Sequence, residues 1–233
     1  METALNPGHI RFLLEGAAWT MALSLIAFAG GGAAGFLVAL GRIAPLRAVR
    51  AVTTLYVQIV QGTPLLVILF LVFFGLPQLG FSISPLMATS LSMTIYVSAY
   101  LGEIWRGCIQ SVPQAQWEAA ECLAMSRTQR MLKVILPQAV RIATPPTVGF
   151  SVQIIKNTSL ASVVGFVEIT RAGQLINNSI FEPFVIYMIV AALYFCLCFP
   201  VSVFSRRLER RGAARRARLE LTPACLLYTS PSP

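Results

Sequence analysis

Long runs without a charged residue constrain this chain more than any other feature of its sequence. No Asp, Glu, Lys or Arg occurs within residues 16–41, 51–102 or 183–205. Because a helix needs about 20 apolar residues to cross a bilayer, the first and last runs each predict one span. The middle run predicts two spans joined by a turn between 75 and 85, and residues 142–167, interrupted by Lys156, predict another. We therefore expect an all-α membrane protein with five transmembrane helices.

The positions of the basic residues predict how these helices are oriented. Of the 18 lysines and arginines, only Arg11 and Arg171 fall in predicted outer segments, and Lys156 falls within a span. The others lie in predicted inner loops and the C-terminal tail. Since cytoplasmic loops carry the excess of Lys and Arg, the N-terminus is predicted outside and the C-terminus inside. The net charge of +9 then reflects topology, and no nucleic-acid partner is needed to explain it.

The two ends of the chain are predicted to lie outside the spans. Residues 1–18 are expected to form a periplasmic N-terminal segment, and residues 209–224 a basic cytoplasmic tail. The first span is not expected to be a cleavable signal, because its apolar region is too long and no basic segment precedes it. Residues 225–233 resemble a translated sequencing adapter; the alternative is an ordinary terminal tail. No function is assigned to them.

The titratable residues exclude several classes of enzyme. The sequence has no Asp, a single histidine at position 9, and no G-x-x-x-x-G-K-[ST] motif. One copy of the chain therefore cannot form a Ser-His-Asp triad or a multi-histidine metal site, and it has no P-loop for ATP. The five cysteines form no C-x-x-C pair. We expect a protein that is not an enzyme and has no metal or cofactor of its own.

One long loop separates the third and fourth predicted spans and contains two signals for helix starts. Residues 111–114 and 126–129 both match the capping-box pattern, in which Ser and Gln satisfy amides at the helix start. We predict two short helices, the second ending at Ile135-Leu136-Pro137. The first presents a small-residue face formed by Ala115, Ala119, Ala120 and Ala124. The spacing leaves two interpretations open, packing on the chain's own membrane domain or docking of a soluble partner.

Polar residues within the spans are candidates for a translocation pathway. Gln153, Lys156 and Asn157 share one helical face, and an ionisable group inside a bilayer is costly unless it faces a cavity or a partner. This face either lines a pathway or subunit interface, or Lys156 extends to the lipid surface or pairs with Glu168.

Two further motifs are predicted to shape the helices. A break in the second span is predicted at Gly62, Thr63 and Pro64. A broken helix at membrane depth binds polar groups of a substrate in some transporters; the alternative is a simple kink. The glycine-rich tract at 30–35 predicts close helix packing, and Glu103 and Arg106, three residues apart, predict a structural ion pair.

Motifs along most of the chain resemble one known family. Glu118-Ala119-Ala120, followed by three residues, Ala124, ten residues and Ile135-Leu136-Pro137, resembles the EAA loop of ABC-importer permeases (E-A-A-x3-G-x9-I-x-L-P), with Ala124 in place of the glycine. Residues 61–66, 98–107, 138–141 and 156–160 resemble the polar amino-acid branch, of the histidine and glutamine permease type. The resemblance implies a type I ABC-importer transmembrane domain over 19–208, with a cytoplasmic coupling loop at about 108–141.

The resemblance also implies a function and a set of partners. The chain would be the permease subunit of an ATP-driven importer that moves a polar amino acid across the bacterial inner membrane. The implied partners are a dimer of ABC ATPases that binds the ATP, a second permease subunit, identical or paralogous, and a periplasmic solute-binding protein. The residues expected at the ATPase are Glu118, Ala119, Ala120, Ala124, Ser126 and Arg127. The alternative is a self-sufficient secondary amino-acid transporter or channel, which the small number of spans does not favour.

Overall fold

The computed structural model describes residues 6–228, with side chains described through residue 210. Within these bounds the chain is helical and has no strand, which confirms the predicted all-α fold. The helices are α1 (Pro7–Arg42), α2 (Arg47–Gly62), α3 (Leu65–Gln78), α4 (Pro85–Gln110), α5 (Gln114–Cys122), α6 (Arg127–Gln129), α7 (Leu136–Asn157), α8 (Ile169–Ile180) and α9 (Pro183–Tyr228). A π-helical turn, Arg130–Ile135, joins α6 to α7, and a 3-10 segment, Thr158–Val164, follows α7.

Two helices are each long and apolar enough to cross a membrane alone, Pro7–Arg42 and Pro183–Arg210. Two bent pairs meet the same criterion jointly: α2 with α3, bent by 101°, and Arg127–Val164 with α8, bent by 47°. The described residues therefore supply two to four candidate spans by length and composition. The five predicted spans remain a prediction.

Some helices do not begin and end where the uncharged runs do, because local capping determines the helix ends. α1 begins at Pro7, before the first uncharged run, because Asn6 caps it: its side chain accepts from the Gly8 amide at 3.0 Å, and its own amide donates to His9 Nδ1 at 3.4 Å. Pro7 fits the first turn, where an N–H has no helical partner. At the other end, α9 continues to Tyr228, through the predicted tail. Residues 229–233 lie outside the described part of the chain.

Glycines allow α1 and α4 to pack closely. A Cβ added at Gly31 would lie 2.4 Å from Val97 Cγ1, and one added at Gly35 would lie 3.0 Å from the Ser98 carbonyl oxygen. On the facing helix, a Cβ at Gly102 would lie 2.7 Å from Val38 Cγ1. These positions have no room for a larger residue. The close packing predicted from the tract at 30–35 is confirmed.

Two buried clusters pack α3, α7, α8 and α9 against this pair. Leu23 of α1 and Met93 of α4 share a cluster with Leu65 of α3 and Ile154 of α7. A second cluster joins Leu13 of α1 to α8 and α9. The first cluster therefore includes residues from the start of α3 and from the C-terminal half of α7.

The predicted two-helix loop between α4 and α7 is only partly correct. The first capping box is wrong: α5 has no side-chain cap, and the Ser111 hydroxyl donates to the Cys108 carbonyl at 2.9 Å instead. The second is confirmed, since the Gln129 amide donates to Ser126 Oγ at 3.3 Å and the Ser126 amide to Gln129 Oε1 at 3.0 Å.

The second loop helix does not end at Ile135-Leu136-Pro137, as the sequence predicted. It continues through the π-helical turn into α7. Proline lacks the N–H that would donate to the carbonyl four residues earlier, and a π-helical adjustment next to a proline allows a helix to continue past it. The α-helical part of the predicted fourth span therefore begins before residue 142, and it ends at Asn157.

Candidate functional site

One face of α5 is fixed to the chain's own domain. Ala120 is only 2% exposed, and Trp117 packs against a buried cluster that includes Ile109 and Ile135. Glu121 forms a 3.1 Å ion pair with Arg130 on the π-helical turn, which ties α5 to the segment that leads into α7. α5 is thus packed against the segment that leads into α7.

The opposite face of α5 and the turn after it are exposed. Of the residues predicted to meet a partner, Glu118, Ala119, Ala124, Ser126 and Arg127 lie on this surface, and Ala120 does not. Leu123, at the tip, is 75% exposed. The small-residue face is therefore divided between the two interpretations. Ala120 packs on the chain's own domain, whereas Ala115, Ala119 and Ala124 are exposed and available to a soluble partner.

The turn after α5 holds Ala124 in a left-handed conformation, with φ at 55°. The Met125 amide donates to the Ala120 carbonyl at 3.3 Å, and the Ala124 amide to the Glu121 carbonyl at 2.8 Å. This pair of bonds is the Schellman motif, whose left-handed residue is usually glycine. The glycine of the EAA pattern corresponds to this position. Glycine adopts a positive φ without a steric penalty, which explains why the EAA pattern has glycine at this position.

The break predicted in the second span is a sharp corner. α2 ends at Gly62, α3 begins at Leu65, and the two axes differ by 101°. Pro64 has no N–H to continue α2, and the Thr63 hydroxyl donates to the Ile59 carbonyl at 2.8 Å, which satisfies one acceptor at the end of α2. Gly62 and Pro64 are exposed and Thr63 is half-buried. The segment is a change of helix direction rather than a kink.

The polar face of α7 is largely open: Gln153 and Lys156 are exposed, and Asn157 is half-buried. Gln153 Nε2 donates to Asn157 Oδ1 at 2.9 Å, and Lys156 lies beside them with no ion pair to any described residue. The predicted alternative of a Lys156–Glu168 pair is wrong. The Glu168 carboxylate is buried and accepts instead from the amides of Thr170 and Arg171 and the hydroxyl of Tyr194, and this last bond measures 2.6 Å.

The two parts of the predicted pathway lie beside one buried cluster. Leu65, directly after Pro64, belongs to the same cluster as Ile154, one residue after Gln153. This cluster therefore lies beside both the corner between α2 and α3 and the polar face of α7. The shared cluster of Leu65 and Ile154 does not require a contact between the corner and Lys156.

An aromatic stack that was not predicted from the sequence lies beside this cluster. The rings of Tyr100 and Phe150 stack, with their centroids 5.5 Å apart and their planes at 13°. The ring centroids of Tyr96 and Tyr100 lie 4.4 Å apart. Tyr96 and Phe150 pack against the cluster that holds Leu65 and Ile154. The i, i+4 spacing of Tyr96 and Tyr100 is visible in the sequence. Their contact with Phe150 is a tertiary contact between α4 and α7, which no local pattern predicts.

Residues 31–213 match the family described as binding-protein-dependent transport system inner membrane component. Among similar proteins is the probable amino-acid ABC transporter permease protein YckA of Bacillus subtilis, 33% identical over 87% of this chain and 89% of that protein. The L-cystine transport system permease protein TcyB of the same organism is 36% identical over 85% of this chain and 86% of its own length. The glutamine transport system permease protein GlnP of Escherichia coli is 34% identical, covering 87% and 93%.

Solved structures agree with these matches. A crystal structure described as an amino acid ABC transporter with histidines superposes with a TM-score of 0.84 at 32% identity, over 88% of this chain and 95% of that one. The MetNI methionine ABC transporter, in an inward-facing form, superposes with a TM-score of 0.66 at 18% identity, covering 87% and 94%, and shows a shared fold only. The chain therefore belongs to the family of binding-protein-dependent transport system inner membrane components, the permease subunits of ABC importers.

Proposed function

We propose that this permease subunit moves a polar amino acid across a bacterial inner membrane. The observation that carries the substrate class is the similarity over most of the chain to permeases for amino acids, together with the 0.84 TM-score against an amino acid ABC transporter. A fold alone would not indicate a substrate. The identity of 32% to 36% over nearly the full length of these proteins supports more than a shared fold.

The exposed face of α5 is the proposed docking surface for an ABC ATPase. The docking surface consists of Glu118 and Ala119 on α5 and extends to Ala124, Ser126 and Arg127 in the turn and short helix that follow. Small side chains let a partner backbone approach closely, and the exposed Leu123 supplies apolar area at the tip. Ala120 has a different role, because it is buried against the chain's own domain and holds α5 in place. ATP would be bound by the partner, since this sequence has no P-loop.

Movement at this surface would reach the pathway through one continuous helical element. The chain remains helical from Arg127 through Asn157, and Glu121 and Arg130 connect α5 to its start. At 1.5 Å per residue, this element is roughly 45 Å long. A displacement of α5 by the ATPase would therefore displace the face that carries Gln153, Lys156 and Asn157.

The proposed pathway is lined by that face and by the corner at Gly62, Thr63 and Pro64. An exposed lysine without an ion partner in the described chain is positioned to attract a substrate carboxylate, and electrostatic attraction strengthens where water is excluded. A second permease subunit would cover these residues, which are exposed or half-buried in one isolated chain. A periplasmic binding protein would deliver the amino acid from outside.

The proposed topology has five spans. They are α1, the bent pair of α2 and α3, α4, α7 with the 3-10 segment, and α9, with the N-terminus outside and the C-terminus inside. The inner excess of Lys and Arg supports this orientation. α4 carries Glu103 and Arg106 near its inner end, where their ion pair and nearby headgroups reduce the cost of burying charge.

Uptake in proteoliposomes tests the proposal and separates it from a secondary transporter. The permease would be reconstituted with the ATPase and binding protein expressed from its own gene neighbourhood, and uptake of labelled glutamine, cystine, histidine and arginine would be measured. Uptake of at least one amino acid should require all three components and internal ATP. Uptake that continues without the ATPase, driven by an ion gradient, would overturn the proposal.

A further inference from the structure

Four arginines line one pocket where α1, α2 and α4 meet. Its volume is about 450 Å³, and the arginines are Arg42, Arg47, Arg50 and Arg106. The rest of the lining is formed by Ala51, Thr54, Leu55, Gln58 and Gln110. None of these residues belongs to the docking surface or the pathway proposed above, so the pocket is a separate feature of the molecule.

The positive charge of this pocket is only partly neutralised. Glu103 accepts from Arg42 Nη2 at 3.0 Å and from Arg106 Nη2 at 2.5 Å, so one carboxylate serves two guanidinium groups. Arg47 and Arg50 form no ion pair with any residue in the described part of the chain. Four arginines against one glutamate leave an excess of three positive charges around the pocket. Such an excess favours an anionic ligand.

Two of the arginines are held in place before any ligand binds. The side chains of Arg42 and Arg106 are 16% and 24% exposed. Besides Glu103, Arg42 donates to the Thr54 hydroxyl and Arg106 donates to the Gln110 side-chain oxygen. A ligand that meets fixed donors loses less entropy on binding than one that must order them. The planar donor fork of arginine matches the oxygens of a phosphate group.

An apolar surface lies next to the arginines on the same helix. Arg47, Arg50, Thr54 and Gln58 follow one face of α2, at helical spacing. The adjacent face carries Val52, Leu55 and Ile59, which are 68%, 58% and 58% exposed, and Leu55 also lines the pocket. A free phosphate would leave this apolar surface uncovered, whereas the acyl chains of a lipid would cover it.

We propose that this pocket binds a phosphate group, and that an anionic phospholipid supplies it. The headgroup lies among Arg42, Arg47, Arg50 and Arg106, and the acyl chains lie along the apolar face of α2. Basic pockets between membrane helices on the cytoplasmic side favour such headgroups. The topology proposed above places these helix ends on that side.

Counting bound lipid by native mass spectrometry tests this site. The purified transporter complex in neutral detergent would be titrated separately with dioleoyl phosphatidylglycerol, dioleoyl phosphatidylcholine and inorganic phosphate. Arg47→Gln with Arg50→Gln removes the two unpaired arginines and leaves the Glu103 network intact. We expect about a 30-fold loss of affinity for phosphatidylglycerol, equivalent to about 2 kcal/mol for two basic residues. Arg47→Lys with Arg50→Lys, which keeps the charge, should retain most of the affinity.

The matched control is Arg206→Gln with Arg207→Gln, which removes two exposed arginines from α9 and none from the pocket. It should change the affinity less than about three-fold, since non-local charge is screened beyond about 10 Å. An equal loss in both double variants would overturn the pocket as the site. Equal binding of phosphatidylcholine would overturn the requirement for an anion. Saturable binding of inorganic phosphate without binding of phosphatidylglycerol would overturn the lipid source.

Discussion

At the scale of single residues, the turn after α5 is strained by an alanine. Three turns in the described chain use the same pair of bonds: those at Gly80, at Ala124 and at Gly165. Glycine occupies the left-handed position in two of them, with φ of 88° and 86°. Ala124 occupies the third, at 55°. A side chain in this conformation costs about 1 kcal/mol or more.

Ala124→Gly should therefore stabilise the loop. Removing the Cβ relieves the left-handed strain, and part of this gain is offset because glycine has more freedom in the unfolded chain. The net gain should be roughly 0.5–1 kcal/mol. Hydrogen exchange of the Met125 amide, which donates across the turn, should slow by about two- to five-fold. Ala119→Gly is the control: in the middle of a helix it should weaken α5 by about 1 kcal/mol. Effects of the same sign would contradict the assignment of strain.

The charge of Lys156 is predicted to be required for uptake. Lys156→Met keeps length and apolar bulk and removes the charge, so it should abolish uptake while expression stays near normal. Lys156→Arg should restore uptake only in part, because a planar guanidinium does not replace a compact ammonium. Lys133→Met, on the π-helical turn, is the matched control and should retain uptake. If Lys156→Met transports normally in proteoliposomes, the residue is at the lipid surface and the pathway assignment fails.

At the scale of elements, the fold depends on how closely α1 and α4 approach. The glycines on α1 are not equivalent, because only some face α4. A Cβ at Gly31 would lie 2.4 Å from Val97 Cγ1, whereas one at Gly32 would have Trp105 as its nearest neighbour, at 3.8 Å. The first distance requires Val97 to shift, since its Cβ would also lie only 2.5 Å away, and the second is an ordinary contact.

Gly31→Ala should consequently destabilise the membrane domain, by about 1–3 kcal/mol, because a well-packed interface does not accept an added methyl group. Gly32→Ala makes the same chemical change one residue later and should be neutral or slightly stabilising, since alanine favours the helix. Thermal unfolding of both variants in lipid nanodiscs would measure the difference. Equal melting temperatures would show that α1 and α4 are not packed in this way.

Local sequence signals predicted some elements and failed for others, for physical reasons. The Ser126–Gln129 cap and the break at Pro64 were predicted because both depend on bonds within a few residues. The loop helix was predicted to end at Pro137 because proline usually stops a helix, and a π-helical turn compensates for it here. The stacking of Tyr100 on Phe150 and the pairing of Glu103 with Arg42 are tertiary contacts between helices, and no local pattern encodes them.

At the scale of the whole molecule, one arrangement connects the exposed loop to the interior. α5 is tied to the start of a helix that extends from Arg127 to Asn157 and carries the polar face. The sequence predicts the coupling-loop residues at one end of this helix and the polar face at the other, but as two separate features. Their continuity appears only in the structure. We propose that the exposed face of α5 transmits the movement of a partner ATPase to this helix.

ATP-driven uptake by the Ala119→Trp variant tests whether α5 couples the permease to the ATPase. The indole would occupy the exposed small-residue face without touching buried Ala120, so insertion and melting temperature should be unchanged while uptake falls to background and the ATPase no longer copurifies. Ala191→Trp adds the same bulk to an exposed position on α9 and should transport normally. If Ala119→Trp copurifies with the ATPase and drives uptake at the unmodified rate, α5 is not the coupling element.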